Sequence, residues 1–92
     1  MPFEYDLTPS LQKLLDKLRK RDPKRADIVY KKIKEIVNSD ENTIERYKHL
    51  RHGHKGEQRA HIDKHFVLTF RYEKATKFVL FVDFDHHDHA YE

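Results

Sequence analysis

Two cap-and-proline pairs, Thr8-Pro9 and Asp22-Pro23, constrain this chain more than any other feature. A threonine or aspartate can accept a hydrogen bond from the free N–H groups of a first helical turn. Proline fits just inside that turn, where its missing N–H has no partner to lose. Each pair therefore predicts a helix start. Leu11, Leu14, Leu15 and Leu18 follow the first pair at helical spacing and form one apolar stripe. Basic residues between Lys17 and Arg21 complement the C-terminal end of that helix dipole. After the second pair, Ala26, Val29, Ile33, Ile36 and Val37 make a second stripe, and the helix should fade near Asn38-Ser39-Asp40. Two helices joined by so short a turn lie antiparallel as a hairpin.

The flanking segments read as strands. Residues Pro2 to Leu7 alternate apolar and polar, as a short strand does. Residues 40–55 are polar and irregular. Glu57–Ile62 and Phe66–Tyr72 alternate again, while Phe78–Phe84 is apolar on both faces and should be the most buried strand. The order is strand, helix, helix, three-stranded antiparallel meander. This is an α+β fold, one domain over residues 1–92, with the helical hairpin packed on one face of the sheet.

Parity then assigns faces, because strand side chains alternate. Placing Ala60 and Ile62 with Leu68 and Phe66 on the helix side requires a three-residue loop, Asp63-Lys64-His65; a two-residue loop would mix the faces. Arg59 then opposes Thr69, and Glu57 opposes Arg71. A similar connection would pair Tyr72 with Phe78 and Phe66 with Phe84, placing Val79, Phe81 and Asp83 on the face away from the helices. That face would gather Arg59, His61, Arg71, Asp83 and His87 as an open, mainly basic surface. His86 would point toward the helices.

Composition narrows the function classes. Charged residues make up 38% of the 92 and hydrophobic residues 37%, so a small core sits inside a heavily charged exterior. There is no cysteine, which excludes disulfides and thiolate metal sites. No stretch has the length of a membrane span and no signal-peptide pattern opens the chain, so a cytoplasmic protein with no membrane partner is expected. From Tyr47 to Val82 eight basic residues face three acidic ones, with five histidines besides, which suits a polyanion. Arg51, His54, Lys55, His65 and Arg71 in this stretch are candidate RNA contacts.

Arginine holds a phosphate through two parallel hydrogen bonds and stabilises charge as it develops. Two imidazoles can divide the base and acid roles when RNA is cleaved by its own 2′-hydroxyl. The C-terminal run His86-His87-Asp88-His89 offers metal ligands, but neighbours on an extended segment diverge, so neither a metal nor another cofactor is expected.

The residues and their order resemble the RelE/ParE toxin superfamily, small toxins of bacterial and archaeal toxin–antitoxin modules. The resemblance rests on Tyr47-Lys48-His49-Leu50, on 55–62 (Lys-Gly-Glu-Gln-Arg-Ala-His-Ile), on 66–72 (Phe-Val-Leu-Thr-Phe-Arg-Tyr), and on the tail through His87 to Tyr91. It is nearest to the YafQ-like and RelE-like branches, which cut messenger RNA in the ribosomal decoding site. It implies the RelE-like fold, metal-independent endoribonuclease activity, and a cognate antitoxin, the chain being monomeric alone and hetero-oligomeric with that antitoxin. By the same resemblance Arg59 matches the phosphate-binding arginine and His61 the histidine two residues on. His87 and Tyr91 match the C-terminal histidine and its aromatic follower, and Lys48 stands where a basic or imidazole group is common. Departures are Glu57 in place of an aromatic, His65 in place of a carboxylate, and the additional His86 and His89. The rival implications are a ParE-like inhibitor of gyrase and a catalytically inactive antitoxin-binding member.

Overall fold

A computed structural model describes residues 2–49 and 57–86. Strand β1 (Glu4–Leu7) leads into helix α1 (Pro9–Arg21), helix α2 (Pro23–Val37) and a short helix α3 (Glu41–Glu45). Strands β2 (Lys48–His49), β3 (Glu57–Ile62), β4 (Phe66–Glu73) and β5 (Phe78–His86) follow. They form one five-stranded sheet in the order β1-β5-β4-β3-β2, with β1 parallel to β5 and the other pairs antiparallel. It is the α+β meander with helices on one face that the pattern predicts.

Both caps form as expected. The Thr8 hydroxyl accepts from Leu11 N–H at 3.2 Å, the Asp22 carboxylate accepts from Arg25 N–H at 3.2 Å, and a proline occupies the first turn of each helix. The second stripe is wholly buried, whereas Leu14 of the first remains 37% exposed. Leu11 and Leu15 already fill the contact between α1 and the sheet, and Leu14 lies at the margin of the stripe. The core lies between the hairpin and the sheet, where Leu11, Leu15, Val29, Ile33 and Ile36 meet Ala60, Ile62, Leu68, Phe70, Val79, Phe81 and Phe84. Each large side chain buried there contributes roughly 1.5–3 kcal/mol before entropy is subtracted.

The β3–β4 register follows parity throughout, from Ile62 opposite Phe66 to Glu57 opposite Arg71. Asp63 turns the corner at φ 50°, a conformation aspartate tolerates, and its carboxylate accepts the His65 N–H at 2.8 Å.

The β4–β5 register does not follow parity. Thr69 opposes Asp83 while Phe70 opposes Phe81, leaving Val82 as an extra residue in a bulge. Val79 and Phe81 therefore enter the core, rather than facing away from the helices. Phe78 pairs with Glu73 instead of Tyr72, and Phe84 with Leu68 instead of Phe66. An uninterrupted apolar run carries no alternation from which a bulge could be read. By fraction of residues buried, β3 rather than β5 is the most enclosed strand.

Residues 40–49 also hold more structure than their polar pattern implies. Asp40 caps α3 by accepting from Thr43 N–H at 2.8 Å, and Ile44 is fully buried. Gln58, 2% exposed, donates its side-chain amide to the Ile44 carbonyl at 2.8 Å and the Tyr47 carbonyl at 3.1 Å. That fork ties the end of α3 to β3 and delivers the chain into β2.

Candidate functional site

Directly paired residues share a face of the sheet, so the ladders assemble the surface opposite the helices row by row. One row runs Lys48, Arg59, Thr69, Asp83 across β2, β3, β4 and β5. The next runs His61, Val67, Asp85. On the other side of the first lies the row Glu57, Arg71, Leu80, which ends on Asp6 of β1. The bulge changes the neighbours expected from parity: Asp83 stands beside Thr69 in the Arg59 row, and Asp85 takes the place beside Val67 and His61.

This face is not uniformly open. His61 is exposed, but Arg59 is only 8% exposed, Glu57 9% and Val67 fully buried. Strands β3, β4 and β5 each have a neighbour on both sides. Arg71 keeps 54% of its side chain exposed yet is engaged, its Nη2 lying 3.1 Å and its Nε 3.2 Å from one Glu57 oxygen. The Glu57–Arg71 pair is the cross-strand partnership that their register makes available.

The surface is electrically divided. Lys48, Arg59 and Arg71 lie toward β2, β3 and β4; Asp83, Asp85 and Asp6 lie toward β5 and β1. Burial pushes the Asp83 carboxyl above its ordinary range. The Phe84 N–H at 2.9 Å works against that shift, and the charges of Asp85 and Glu57 add to it. On the core side of the sheet, Tyr47 packs edge-on against Phe70 at 5.5 Å, and burial raises its phenol, which stays protonated at neutral pH. The pairing of Lys48 with Arg59 was not legible in sequence, because a two-residue strand leaves no alternation to read.

His65 lies in the exposed β3–β4 turn, and its ring stacks on that of His86 with centroids 6.1 Å apart. His86 faces the helix side, as parity predicts, opposite Phe66. The expected site residues Arg51, His54, Lys55, His87 and Tyr91 lie outside the described residues. Among the described residues no three His, Cys, Asp or Glu side chains gather in a metal-binding group, and no helix is long and apolar enough to cross a membrane. A separate polar cleft of about 790 Å³, lined by Phe3, Glu4, Asp40, Glu41 and Lys77 among others, holds none of the predicted site residues.

No family model matches the chain. It is 46% identical over 90 residues to a Methanocaldococcus jannaschii protein named "Putative toxin RelE4", across 98% of this chain and 92% of that protein. It is 37% identical over 81 residues to an uncharacterized protein of Methanosarcina mazei, across 88% and 90% of the two. Among solved structures, a chain of the toxin–antitoxin complex RelBE2 from Mycobacterium tuberculosis superposes with a TM-score of 0.75, covering 95% of this chain and 93% of its own length. Identity there is 19%, so that likeness speaks to the fold. Close sequence kinship along almost its whole length, on a fold shared with a RelBE complex, makes this chain a member of the RelE family in the RelE/ParE toxin superfamily.

Proposed function

We propose that the protein is the toxin of a toxin–antitoxin pair and that it cleaves messenger RNA on the ribosome. The observation that carries this reading is the row Lys48–Arg59–Thr69 with His61 one row away on the same face. A phosphate above these two cations gains charge-assisted hydrogen bonds from both.

The reaction follows from the residue types. A base removes the proton of a ribose 2′-hydroxyl, the oxygen attacks the adjacent phosphorus, and the bond to the 5′-oxygen breaks. An acid returns a proton to that leaving oxygen. The products are a 2′,3′-cyclic phosphate and a 5′-hydroxyl, with no redox change and no further reactant. His61 and His87 would share the base and acid roles, and Arg59 would stabilise the charge on the phosphorane oxygens. Lys48 would hold the neighbouring backbone and Tyr91 would position the phosphate or stack on a base. Arg51, His54, Lys55, His65 and the exposed part of Arg71 would bind flanking RNA. Arg59 is 8% exposed, so it would act in a medium of low dielectric, where its charge counts for more.

The test is induced expression in a bacterial host, with wild type beside His61→Ala and His87→Ala, mapping messenger RNA 5′ ends on translated and untranslated transcripts. Cuts confined to translated frames, reduced about 10²-fold or more in either variant, are expected. Growth arrest without cuts would replace this reading with a non-nucleolytic target such as gyrase. Equal cutting by the variants would remove the two histidines from the chemistry.

A further inference from the structure

At the turn end of β3 and β4 the structure holds a group of flat side chains that the cleavage chemistry does not use. The imidazoles of His65 and His86 lie nearly parallel, 19° apart, with centroids at 6.1 Å. Phe66 meets His86 edge-on at 5.3 Å and stacks on Phe84 at 5.0 Å. The Arg25 guanidinium lies 4.5 Å over the Phe66 ring. His65 is exposed, while Phe66 and His86 are half-buried, so the outermost ring of the stack faces water.

With centroids 6.1 Å apart the two imidazoles are too far for a direct N–H···N hydrogen bond, so they meet as rings rather than as a polar pair. The turn is also held in place before any ligand arrives. Asp63 accepts the His65 N–H at 2.8 Å, and its other oxygen lies 3.5 Å from Arg25, which also reaches Asp22 at 3.2 Å. Arg25 is thus compensated by two carboxylates and serves here as a plane more than as a free cation. Two further charged residues adjoin the group in sequence: Lys64, exposed at the tip of the turn, and Asp85, on the opposite face. The row Ile62–Phe66–His86 follows the His61 row along the strands but points to the helix side, so the group sits at the turn end of the sheet.

We propose that His65 and His86 form a stacking site for one unpaired nucleobase of RNA, which extends their stack on the exposed face of His65. Single-stranded RNA is recognised by such aromatic, imidazole and guanidinium planes, because every base has a π face. Neutral and protonated imidazoles both stack, and the protonated form adds a cation–π attraction. The proposal rests on the reading that the protein handles RNA, and it assigns a base-binding role to the turn end of the sheet, on the helix side and away from the face of the phosphate site.

The experiment is an NMR titration of the full-length protein, labelled with carbon-13 in its aromatic rings. One probe is a single-stranded, fully 2′-O-methylated oligoadenylate pentamer, which cannot be cleaved through its 2′-oxygens. The control carries the same phosphates but an abasic residue at each position. Upfield ring-current shifts at the His65 ring C–H groups are expected with the adenine oligomer only, with binding about tenfold tighter than the control. His65→Ala should abolish the difference between the two oligomers and His65→Phe should retain it. Equal shifts from the abasic control would show imidazole–phosphate contact and overturn the stacking site, as would no ring shift at millimolar oligomer. The mapping of 5′ ends reports separately on cleavage: ring shifts without cuts keep the stacking site and discard the nuclease, and cuts without ring shifts do the reverse.

Discussion

The Thr8 hydroxyl donates to the carbonyl of Val82 at 2.9 Å, and Val82 is the extra residue of the β5 bulge. The same oxygen accepts the Leu11 N–H at 3.2 Å, while the Thr8 N–H donates to the Phe81 carbonyl at 3.0 Å. One residue thus starts α1 and holds the irregularity that turns Val79 and Phe81 into the core and Asp83 and Asp85 out of it. Thr8→Ala should lower stability by about 1–2 kcal/mol, as other lost caps do. The midpoint of thermal unfolding should fall by several degrees. Thr8→Ser should retain most of both, and calorimetry of the two variants checks it. Equal loss in both would show that the methyl group, not the hydroxyl, matters.

Gln58 should behave as a structural clamp. Its amide serves two carbonyls, Ile44 and Tyr47, in a site 2% exposed to water. Gln58→Leu leaves both acceptors without that donor, at a cost of about 1–3 kcal/mol. Hydrogen exchange should quicken at residues 44–49 more than in α1. An even increase across the chain would mean that the clamp has no local role.

Arg71 carries two expectations that a double variant separates. Arg71→Ala removes an ion-pair partner of the Glu57 carboxylate, whose side chain is 11% exposed, and should destabilise the fold by about 1–3 kcal/mol. Adding Glu57→Gln should recover part of that loss in urea melts. If Arg71 also contacts RNA, the recovered protein still cuts less than wild type. Full recovery of cutting would confine Arg71 to its ion pair.

Asp83 gives a pH dependence of defined sign. Its carboxyl is raised above the ordinary 3.8, first by burial, so the folded state binds the proton more tightly than the unfolded state does. Stability is lost as pH rises from about 3.8 through the raised folded value, and the penalty is constant above it. Asp83→Asn removes the penalty. Its midpoint of thermal unfolding should exceed that of wild type at pH 7, with the gap closing as pH falls to 3. The side chain keeps much of its surface in water, so the shift should be a few degrees at most. A gap that persists at pH 3 would trace the gain to something other than the charge.

Much of the fold and half of the site could be read from residues alone, for local reasons. Thr8-Pro9 and Asp22-Pro23 act within one turn of themselves, so they announce the helices without help from the rest of the chain. The β3–β4 register was legible because Ala60, Ile62, Phe66 and Leu68 alternate cleanly with polar neighbours, and one face must be dry. That register places Arg59 beside Thr69 and His61 beside Val67. The tertiary structure alone decided the rest. Val82 is extra only in relation to its partner strand, and an apolar run offers no alternation to reveal it. Lys48 reaches Arg59 because Gln58 ties the end of α3 to the sheet, across a sequence separation that no local pattern spans. Burial of Arg59 and compensation of Arg71 depend on their neighbours in the sheet. Periodicity specifies which face a side chain takes, and the packing of several strands specifies who meets it there.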